Sequence, residues 1–319
     1  MKREHRHLFG PVPSRRFGRS LGVDLTPYKT CSLDCVFCQL GRTMQKTIVR
    51  KEYVPTDLVL TELAGWLKAG GRADYITLSG CGEPTLHSRF GDVLAFIREK
   101  SSISSVVLTN GTMLHLPEVR EAAALADVVK ISLSAWDDDS FEWVNRPHPQ
   151  LRFDQLVEGE RTFRREFTGE LWMEVFLVGG MNSTPRDVRK IASLAKEIQP
   201  DRIQLNTSVR PPAEEFVTSL SRGQMEELAG LFQPAAEIIG EFSTRHEEPV
   251  KAKEEEIFSM IERRPCTAEQ IADVFGMHIN EVSKYLGKLV RTDRVRSERR
   301  RSAVYYEAVR MEEQSNAHV

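Results

Sequence analysis

Short β-rich segments alternate with amphipathic helical segments along most of this 319-residue chain. Helix start signals stand between the β-rich segments, as at Pro55 to Asp57 and at Ser183 to Pro185. The predicted strands are Leu21–Leu25, Tyr75–Ser79, Ser105–Thr109, Val128–Ser134, Trp172–Val178 and Arg202–Asn206. Such alternation predicts the α/β class, with a parallel sheet covered by helices. About six β/α units suit a partial or full TIM-like (β/α) barrel, whose active site lies at the strand C-termini. A doubly wound open sheet is the alternative, because periodicity alone does not separate the two.

Three cysteines follow the first predicted strand with the spacing C-x3-C-x2-C, at Cys31, Cys35 and Cys38. This spacing places three thiols on one short loop, close enough to bind a single metal centre. Iron–sulfur clusters are held by cysteine thiolates, and a [4Fe–4S] cube has four irons to ligate. Three ligands therefore leave one iron open to a small molecule. Structural zinc is the alternative, but it prefers four ligands in two separated pairs, and the sequence offers no second Cys/His pair at a suitable spacing.

Composition limits the classes of protein to consider. A hydrophobic fraction of 40% and a charged fraction of 28% are typical of a globular protein, and the net charge of −2 indicates no general attraction to nucleic acid. Five cysteines, three of them clustered, favour metal ligation in a reducing compartment over a disulfide framework. No apolar stretch approaches the roughly 20 residues of a membrane span, and the polar start lacks a signal-peptide core. We therefore expect a cytoplasmic protein without a membrane partner.

The composition changes after about Ser243, where residues 243–253 are interpreted as a linker. Residues 254–310 predict three helices followed by a hairpin, and residues 311–319 a polar tail. The predicted elements are Glu254–Arg263, Thr267–Phe275, Ile279–Arg291, Val295–Ser297 and Ala303–Ala308. Three helices with a two-stranded wing describe a small C-terminal winged helix-turn-helix domain.

This C-terminal region carries a local surplus of positive charge. Between Lys284 and Arg301 eight Lys or Arg residues stand against two acidic ones. The candidate contacts are Lys284, Lys288, Arg299, Arg300 and Arg301, the last three at the predicted wing tip. Clustered basic residues of this kind are typical of nucleic-acid contact. A solvated hairpin balanced by Glu254–Glu256, or a surface for a peptide or protein partner, remains the alternative.

Small and polar residues follow several predicted strands at their C-termini. Gly80, Cys81 and Gly82 form a turn after the second strand, where glycine lets a backbone approach a ligand closely. Asn110 follows the third strand, and Ser132 and Ser134 end the fourth, where turn capping is the alternative role.

Weaker candidates for contact with an anionic or polar substrate are Lys29, Asn206 and Arg210. Arg210 follows the last predicted strand, and a guanidinium group matches carboxylate or phosphate. A solvated charge at the rim is the alternative for both basic residues.

The cysteine motif and the glycine turn together resemble the radical SAM superfamily over about residues 8–240. The run from Phe9 to Asp24, with Lys29 to Cys31, is similar to a wyosine-tRNA-synthetase-like group of iron–sulfur oxidoreductases. The resemblance implies that residues 1–242 form a radical SAM domain and that the protein is an enzyme. It also implies a [4Fe–4S] cluster, S-adenosylmethionine, and a one-electron donor such as flavodoxin or ferredoxin. The implied reaction is reductive cleavage of S-adenosylmethionine to a 5′-deoxyadenosyl radical, which abstracts hydrogen from a C–H bond of an RNA or peptide substrate.

The resemblance also implies roles for individual residues. Gly80, Gly82 and Glu83 would bind the amino group of S-adenosylmethionine. Asn110, Ser132 and Ser134 would bind its ribose hydroxyls and carboxylate, and Phe37 would shield the cluster or lie against adenine. An iron–sulfur regulator that senses redox state and binds DNA is the alternative function. A sensor needs no cofactor pocket, so the glycine turn and the polar strand ends favour the enzyme.

Overall fold

The computed structural model describes residues 7–14, 18–209, 211–239, 254–275, 277, 279–300 and 303–309. Within these ranges the chain forms two compact units, one including residues 18–239 and the other residues 254–309. Four features predicted from the sequence lie outside the described residues: the linker 243–253, the tail 311–319, Arg210 and Arg301.

The larger unit is built on one sheet of eight strands within its described residues. In chain order its strands, with a separate pair β3 and β4, are β1 (Leu8–Ser14), β2 (Gly18–Val23), β3 (Thr30–Cys31), β4 (Gln45–Lys46), β5 (Tyr75–Leu78), β6 (Ser104–Leu108), β7 (Val128–Ser132), β8 (Glu170–Leu177), β9 (Arg202–Thr207) and β10 (Glu237–Ile238). The sheet order is β1-β2-β5-β6-β7-β8-β9-β10, and the pairings from β2 to β10 are parallel. This is the α/β architecture that the alternation predicted.

Helices connect the parallel strands. They are α1 (Thr56–Lys68), α2 (Phe90–Lys100), α3 (Pro117–Ala123), α4 (Asp138–Asn145), α5 (Phe153–Glu166), α6 (Pro185–Ile198) and α7 (Arg222–Ala229). From β2 onward, the strand order follows the chain in one direction, whereas a doubly wound sheet reverses at its switch point. The sheet is therefore wound as in a partial TIM barrel. No described helix has both the length and the apolar surface needed to cross a membrane.

The six predicted strands are present as β2 and β5–β9, with ends that shift by up to three residues. The sequence did not predict β1 and β10. Pro11 and Pro13 lie within β1, and proline is depleted from strands because it lacks a backbone donor. β10 has only two residues, too few to show a period.

The two faces of the sheet differ in what covers them. Val129 and Ile131 of β7 pack in the large core with side chains from the helices. Successive strand residues point to opposite faces, so Val128 and Lys130 lie on the other face, which we call the open face. Val128 packs there with Trp172 of β8 in a separate small cluster. The helix layer thus covers one face, and polar side chains are retained on the other.

The smaller unit contains three helices and a three-stranded antiparallel sheet in its described residues. Its elements are α8 (Glu254–Arg263), β11 (Cys266–Thr267), α9 (Ala268–Phe275), α10 (Ile279–Arg291), β12 (Val295–Arg300) and β13 (Ala303–Ala308). Ile257, Phe275 and Leu286 lie in its own hydrophobic core. The hairpin extends to Arg300, beyond the predicted Ser297, because Arg300 still pairs with Ala303.

Glu160 is a buried carboxyl group in the larger unit, on α5. The residue is 0% exposed, and neither carboxyl oxygen has a hydrogen-bond partner among the described residues. It lies beneath Gly111, since a Cβ on Gly111 would come within 2.4 Å of Glu160 Oε1. Burial raises the pKa of Glu160 well above its usual value.

We expect Glu160→Gln to stabilise the protein, and more so at pH 7.5 than at pH 5. The folded pKa is raised, so the folded state keeps a proton that the unfolded state loses above about pH 4.3. The contribution of Glu160 to stability therefore falls as the pH rises above that value, by up to ~1.4 kcal/mol per pH unit until the folded pKa is reached. Thermal unfolding at the two pH values measures this. Glu158→Gln, at an exposed position on the same helix, is the control, and an equal effect of Glu160→Gln at both pH values would contradict the argument.

Candidate functional site

The cysteine loop begins at β3 and is held by the last residues of α4 and by the residues that follow them. Asp34 N donates to Asn145 O at 3.0 Å, Val36 N donates to Val144 O at 3.1 Å, and His148 N donates to Ser32 O at 2.9 Å. These bonds place residues 144–148 alongside residues 32–36. Arg146, in the left-handed conformation with φ 47°, ends α4 and turns the chain into this pairing. Asn145 is thereby brought next to the cysteines.

The glycine turn after β5 is in direct backbone contact with the cysteine loop. Lys29 N donates to Cys81 O at 2.6 Å, and Glu83 N donates to Thr30 O at 3.0 Å. A Cβ on Gly82 would lie 2.0 Å from Thr30 O, so only glycine fits there. Gly80 has φ +139°, a conformation that other residues rarely adopt. The predicted cofactor turn and the cysteines therefore form one structure.

The side chain of Glu83, predicted to bind a cofactor, forms hydrogen bonds with other residues of the protein. The carboxylate is 3% exposed and accepts hydrogen bonds from the protein on both oxygens. Oε1 accepts from Thr85 N at 3.1 Å and from the hydroxyls of Thr85 and Thr109 at 2.7 Å each, and Oε2 accepts from Asn110 N at 2.8 Å. Burial raises the Glu83 pKa, and these donors oppose the rise. Glu83 therefore holds the loop after β6 in place, and its contact with a cofactor stays a prediction.

Asn110, predicted to contact a cofactor, makes hydrogen bonds to two neighbouring segments of the protein. Its Nδ2 donates to Ser32 Oγ at 2.9 Å and lies 3.5 Å from Cys31 Sγ. Its Oδ1 accepts from the backbone N and the hydroxyl of Thr112. The side chain thus joins the end of β6 to the cysteine loop.

The two predicted serines lie at the end of β7. Ser134 Oγ accepts from Phe176 N at 3.0 Å, and the buried Asn182 donates to Ser134 O at 2.8 Å. Ser132 is half-buried and lies beside Glu174 of β8 in the sheet register. Ser134 therefore joins the ends of β7 and β8, while Ser132 faces the same side as Lys130.

Each of the three cysteine sulfurs has one side-chain N–H donor. Lys29 Nζ lies 3.0 Å from Cys38 Sγ, Asn145 Nδ2 lies 3.3 Å from Cys35 Sγ, and Asn110 Nδ2 lies 3.5 Å from Cys31 Sγ. Burial raises the pKa of the Cys31 thiol to about 12 and also raises that of Cys35. Burial lowers the Lys29 pKa, but the three cysteine sulfurs, Cys38 foremost, raise it by more. The donors favour the thiolate form that metal ligation requires.

The chemistry of the three cysteines fits an iron–sulfur cluster. Three thiols on one loop can each ligate a different iron of a [4Fe–4S] cube, whereas structural zinc takes four ligands around one ion. In the part of the chain that the structure describes, no group of three or more Cys, His, Asp or Glu side chains is placed to hold a single metal ion.

Phe37 connects the cysteine loop to the open face of the sheet. Its ring stacks on Phe176 of β8, with ring centroids 4.1 Å apart and planes 8° from parallel. The predicted alternatives were cluster shielding, contact with adenine and loop packing. The contact with Phe176 shows packing on one side of the ring.

A row of polar side chains crosses the open face. Of these residues, the sequence predicted only Asn206 as a member of the site. Lys130 of β7 forms an ion pair with Glu174 of β8, and Asn206 of β9 donates to Glu174 Oε1 at 2.9 Å. Gln204 is 2% exposed, and its Oε1 has no hydrogen-bond partner within the described part of the chain. The sequence did carry a sign of this row, because a charged residue stands among apolar ones in each strand. Lys130 lies in VVKIS and Glu174 in ELWMEVFL.

The basic residues of the smaller unit divide into two groups. Four of them form ion pairs with carboxylates: Lys288 with Glu254, Arg294 with Glu255, Arg296 with Glu307, and Arg300 with Glu298 and Glu307. Lys284, Arg291 and Arg299 are exposed and have no ion-pair partner among the described residues. Of the predicted contacts that the structure describes, Lys288 and Arg300 are thus ion-paired, and nucleic-acid binding stays a prediction.

Comparison with known proteins identifies related sequences and folds. A family model described as the radical SAM superfamily matches residues 25–195. A UPF0026 protein of Methanocaldococcus jannaschii is 36% identical over 235 residues, which are 73% of this chain and 72% of that protein. A Brachyspira hyodysenteriae protein named GTPase Obg is 35% identical over 301 residues, 93% of this chain, so the chain spans only 44% of that relative. The crystal structure of a radical SAM methyltransferase from Sphaerobacter thermophilus covers 69% of this chain and 65% of its own, with TM-score 0.52 and 18% identity, and shows likeness of fold.

We expect Gly82→Ala to destabilise the larger unit and to lower the amount of iron that the protein retains after reconstitution. The new methyl group would press on Thr30 O and separate the glycine turn from the cysteine loop. Overpacking of this kind costs about 1–3 kcal/mol. Chemical denaturation and iron analysis measure the two effects. Gly65→Ala is the matched control because nothing lies within 4 Å of its Cβ position in α1, and there alanine should stabilise by ~0.5–1 kcal/mol. Equal behaviour of the two variants would refute the close-contact argument.

Proposed function

This chain belongs to the radical SAM superfamily and, within it, to the UPF0026 proteins, and from that premise we propose that it is an enzyme that cleaves S-adenosylmethionine reductively. Cys31, Cys35 and Cys38 would hold a [4Fe–4S] cluster. When bound, the cluster and S-adenosylmethionine supply an electron transfer that releases methionine and a 5′-deoxyadenosyl radical for hydrogen abstraction from a C–H bond. One observation carries the proposal: three cysteines of one loop, each with an N–H donor, are held against a glycine turn at the C-terminal edge of a parallel sheet. This is the edge where (β/α) barrels have their active sites.

The residues around the cysteines would each position a different part of the cofactor site. Backbone carbonyls of the Gly80–Gly82 turn are suited to accept hydrogen bonds from an ammonium group, and Glu83 Oε2, which accepts from Asn110 N, is a further acceptor next to the turn. Asn110 holds the cysteine loop, and Ser132 remains suited to a ribose or carboxylate group. The Phe37–Phe176 stack would keep water from the cluster side of the site.

The open face beneath this edge would receive the substrate. Glu174 and Lys130 offer opposite charges there, and Gln204 Oε1 offers an acceptor without a partner. A buried acceptor without a partner is costly, so a substrate group with an N–H donor would be stabilised beside it. RNA bases and peptide amides both carry such donors. A flavodoxin or ferredoxin would supply the electron, and the wyosine-like grouping stays a prediction.

The smaller unit would be a winged helix-turn-helix domain that binds RNA. Its order of three helices and a hairpin supports this, as does the charge on α10. Lys284 and Arg291 are seven residues apart on α10 and therefore share one side of the helix. Val282, Leu286 and Leu289 of the same helix are buried in the core. The exposed basic side of α10 is thus available for phosphate contact.

The proposed reaction predicts formation of 5′-deoxyadenosine by the reconstituted protein. The protein is purified anaerobically, loaded with iron and sulfide, and mixed with dithionite and S-adenosylmethionine, and the product is measured by mass spectrometry. Cys35→Ala should abolish both the cluster absorbance and the product, because it removes one of three ligands. Cys266→Ala, which alters a cysteine of the smaller unit, should retain both. A cluster that persists in Cys35→Ala would refute the ligand assignment. An intact cluster without product, together with redox-dependent DNA binding, would favour the regulator.

RNA binding by α10 predicts a charge effect that depends on salt. The double variant Lys284→Glu/Arg291→Glu should bind single-stranded RNA at least tenfold more weakly. The plot of the logarithm of the binding constant against the logarithm of the salt concentration should also become less steep, by about 1.4. This is roughly 0.7 for each of the two phosphates that the variant no longer neutralises. Fluorescence anisotropy over a salt series measures both. Arg222→Glu, an exposed position on α7, is the control. RNA affinity that is equal in all three proteins would reject α10 as the binding surface.

A further inference from the structure

We propose that Lys29 donates a charged hydrogen bond to the Cys38 thiolate of the bound cluster and thereby raises the reduction potential of that cluster. The inference rests on the proposed function, because it requires the cluster at Cys31, Cys35 and Cys38. It assigns to Lys29 a positioning role toward the metal centre in place of the substrate contact expected from the sequence.

The backbone of Lys29 is fixed on both sides. Its N–H donates to Cys81 O at 2.6 Å, and its carbonyl accepts from Met44 N at 3.2 Å and Gln45 N at 3.1 Å. Its φ of 55° lies in the left-handed region, where glycine or asparagine would be less strained. A lysine in this position is directed by its backbone toward the sulfur of Cys38, at 3.0 Å.

The Lys29 ammonium group is buried without a carboxylate counter-ion. The residue is 3% exposed, and none of the described Asp or Glu side chains forms an ion pair with it. A buried cation is costly unless negative charge compensates it. The cysteine sulfurs are the groups beside it, so thiolates bound to iron would supply that charge.

Lys29 is the one charged donor among the three side chains directed at the cysteine sulfurs. Asn110 and Asn145 carry neutral amides at longer distances from Cys31 and Cys35. Hydrogen bonds to the sulfurs and net charge set the potential of iron–sulfur clusters. Reduction by an external one-electron donor adds one negative charge to the cluster and breaks no bond. A fixed cation beside the sulfur stabilises the reduced form more than the oxidised form.

The test is a redox titration of the reconstituted cluster, followed by electron paramagnetic resonance. Lys29→Met, which removes the charge at similar length, should lower the equilibrium constant for reduction at least tenfold, which corresponds to ~59 mV for one electron. Lys68→Met is the matched control because it removes the same charge from an exposed residue of α1, where solvent and salt screen it. Asn145→Leu should shift the equilibrium by less than Lys29→Met. A potential in Lys29→Met equal to that of the control would overturn the proposal.

A second measurement uses the wild-type protein and therefore does not depend on whether the Lys29 variant assembles its cluster. In protein labelled with ¹⁵N-lysine, pulsed paramagnetic resonance of the reduced cluster should show a coupled ¹⁵N nucleus. Absence of that coupling would place no lysine at the cluster and would also overturn the proposal. Loss of the cluster in Cys31, Cys35 or Cys38 variants tests the proposed function separately, so the two failures are distinguishable.

Discussion

The contact between two backbones, at Gly82 and Thr30, is the constraint on which the site depends. No side chain separates the glycine turn from the cysteine loop, and hydrogen bonds on either side of the contact join them. The turn belongs to the end of β5, so the contact fixes the cysteines to the C-terminal edge of the sheet. A larger residue at position 82 would change the location of every thiol relative to the strands.

Polar residues around the cysteine loop extend this anchoring to other strands. Glu83 accepts bonds from the loop after β6, and Asn110 of that loop donates to the cysteine loop. Asn145 lies at the end of α4, and backbone hydrogen bonds between residues 144–148 and residues 32–36 place it beside the cysteines. Three parts of the fold thus supply one donor to each sulfur. The protein prepares the charge and hydrogen bonding around the thiolates, and the chemistry itself would come from the cofactors.

The sequence was most informative where a local pattern has a local cause. Period and start signals located six strands and helices such as α6, whose N-cap Thr184 lies within the predicted start signal Ser183 to Pro185. It was not informative about contacts between segments far apart in the chain. Glu83 and Asn110 stand at strand ends, and only the structure shows which segments of the protein their side chains hydrogen-bond to. Lys130 and Glu174 are separated by 44 positions along the chain, so their ion pair could not be recognised from spacing.

The sequence by itself determined that three thiols share a loop, that strands alternate with helices, and that small residues follow the second strand. These are properties of neighbouring residues, which bond geometry and periodicity fix locally. Only the tertiary structure decided the direction in which the sheet winds, which side chains face the sulfurs, and which basic residues remain exposed. Those outcomes depend on the sheet register and on packing between segments far apart in the chain. Lys29 shows the difference: its position near Cys31 is in the sequence, but its burial against Cys38 depends on the turn after β5.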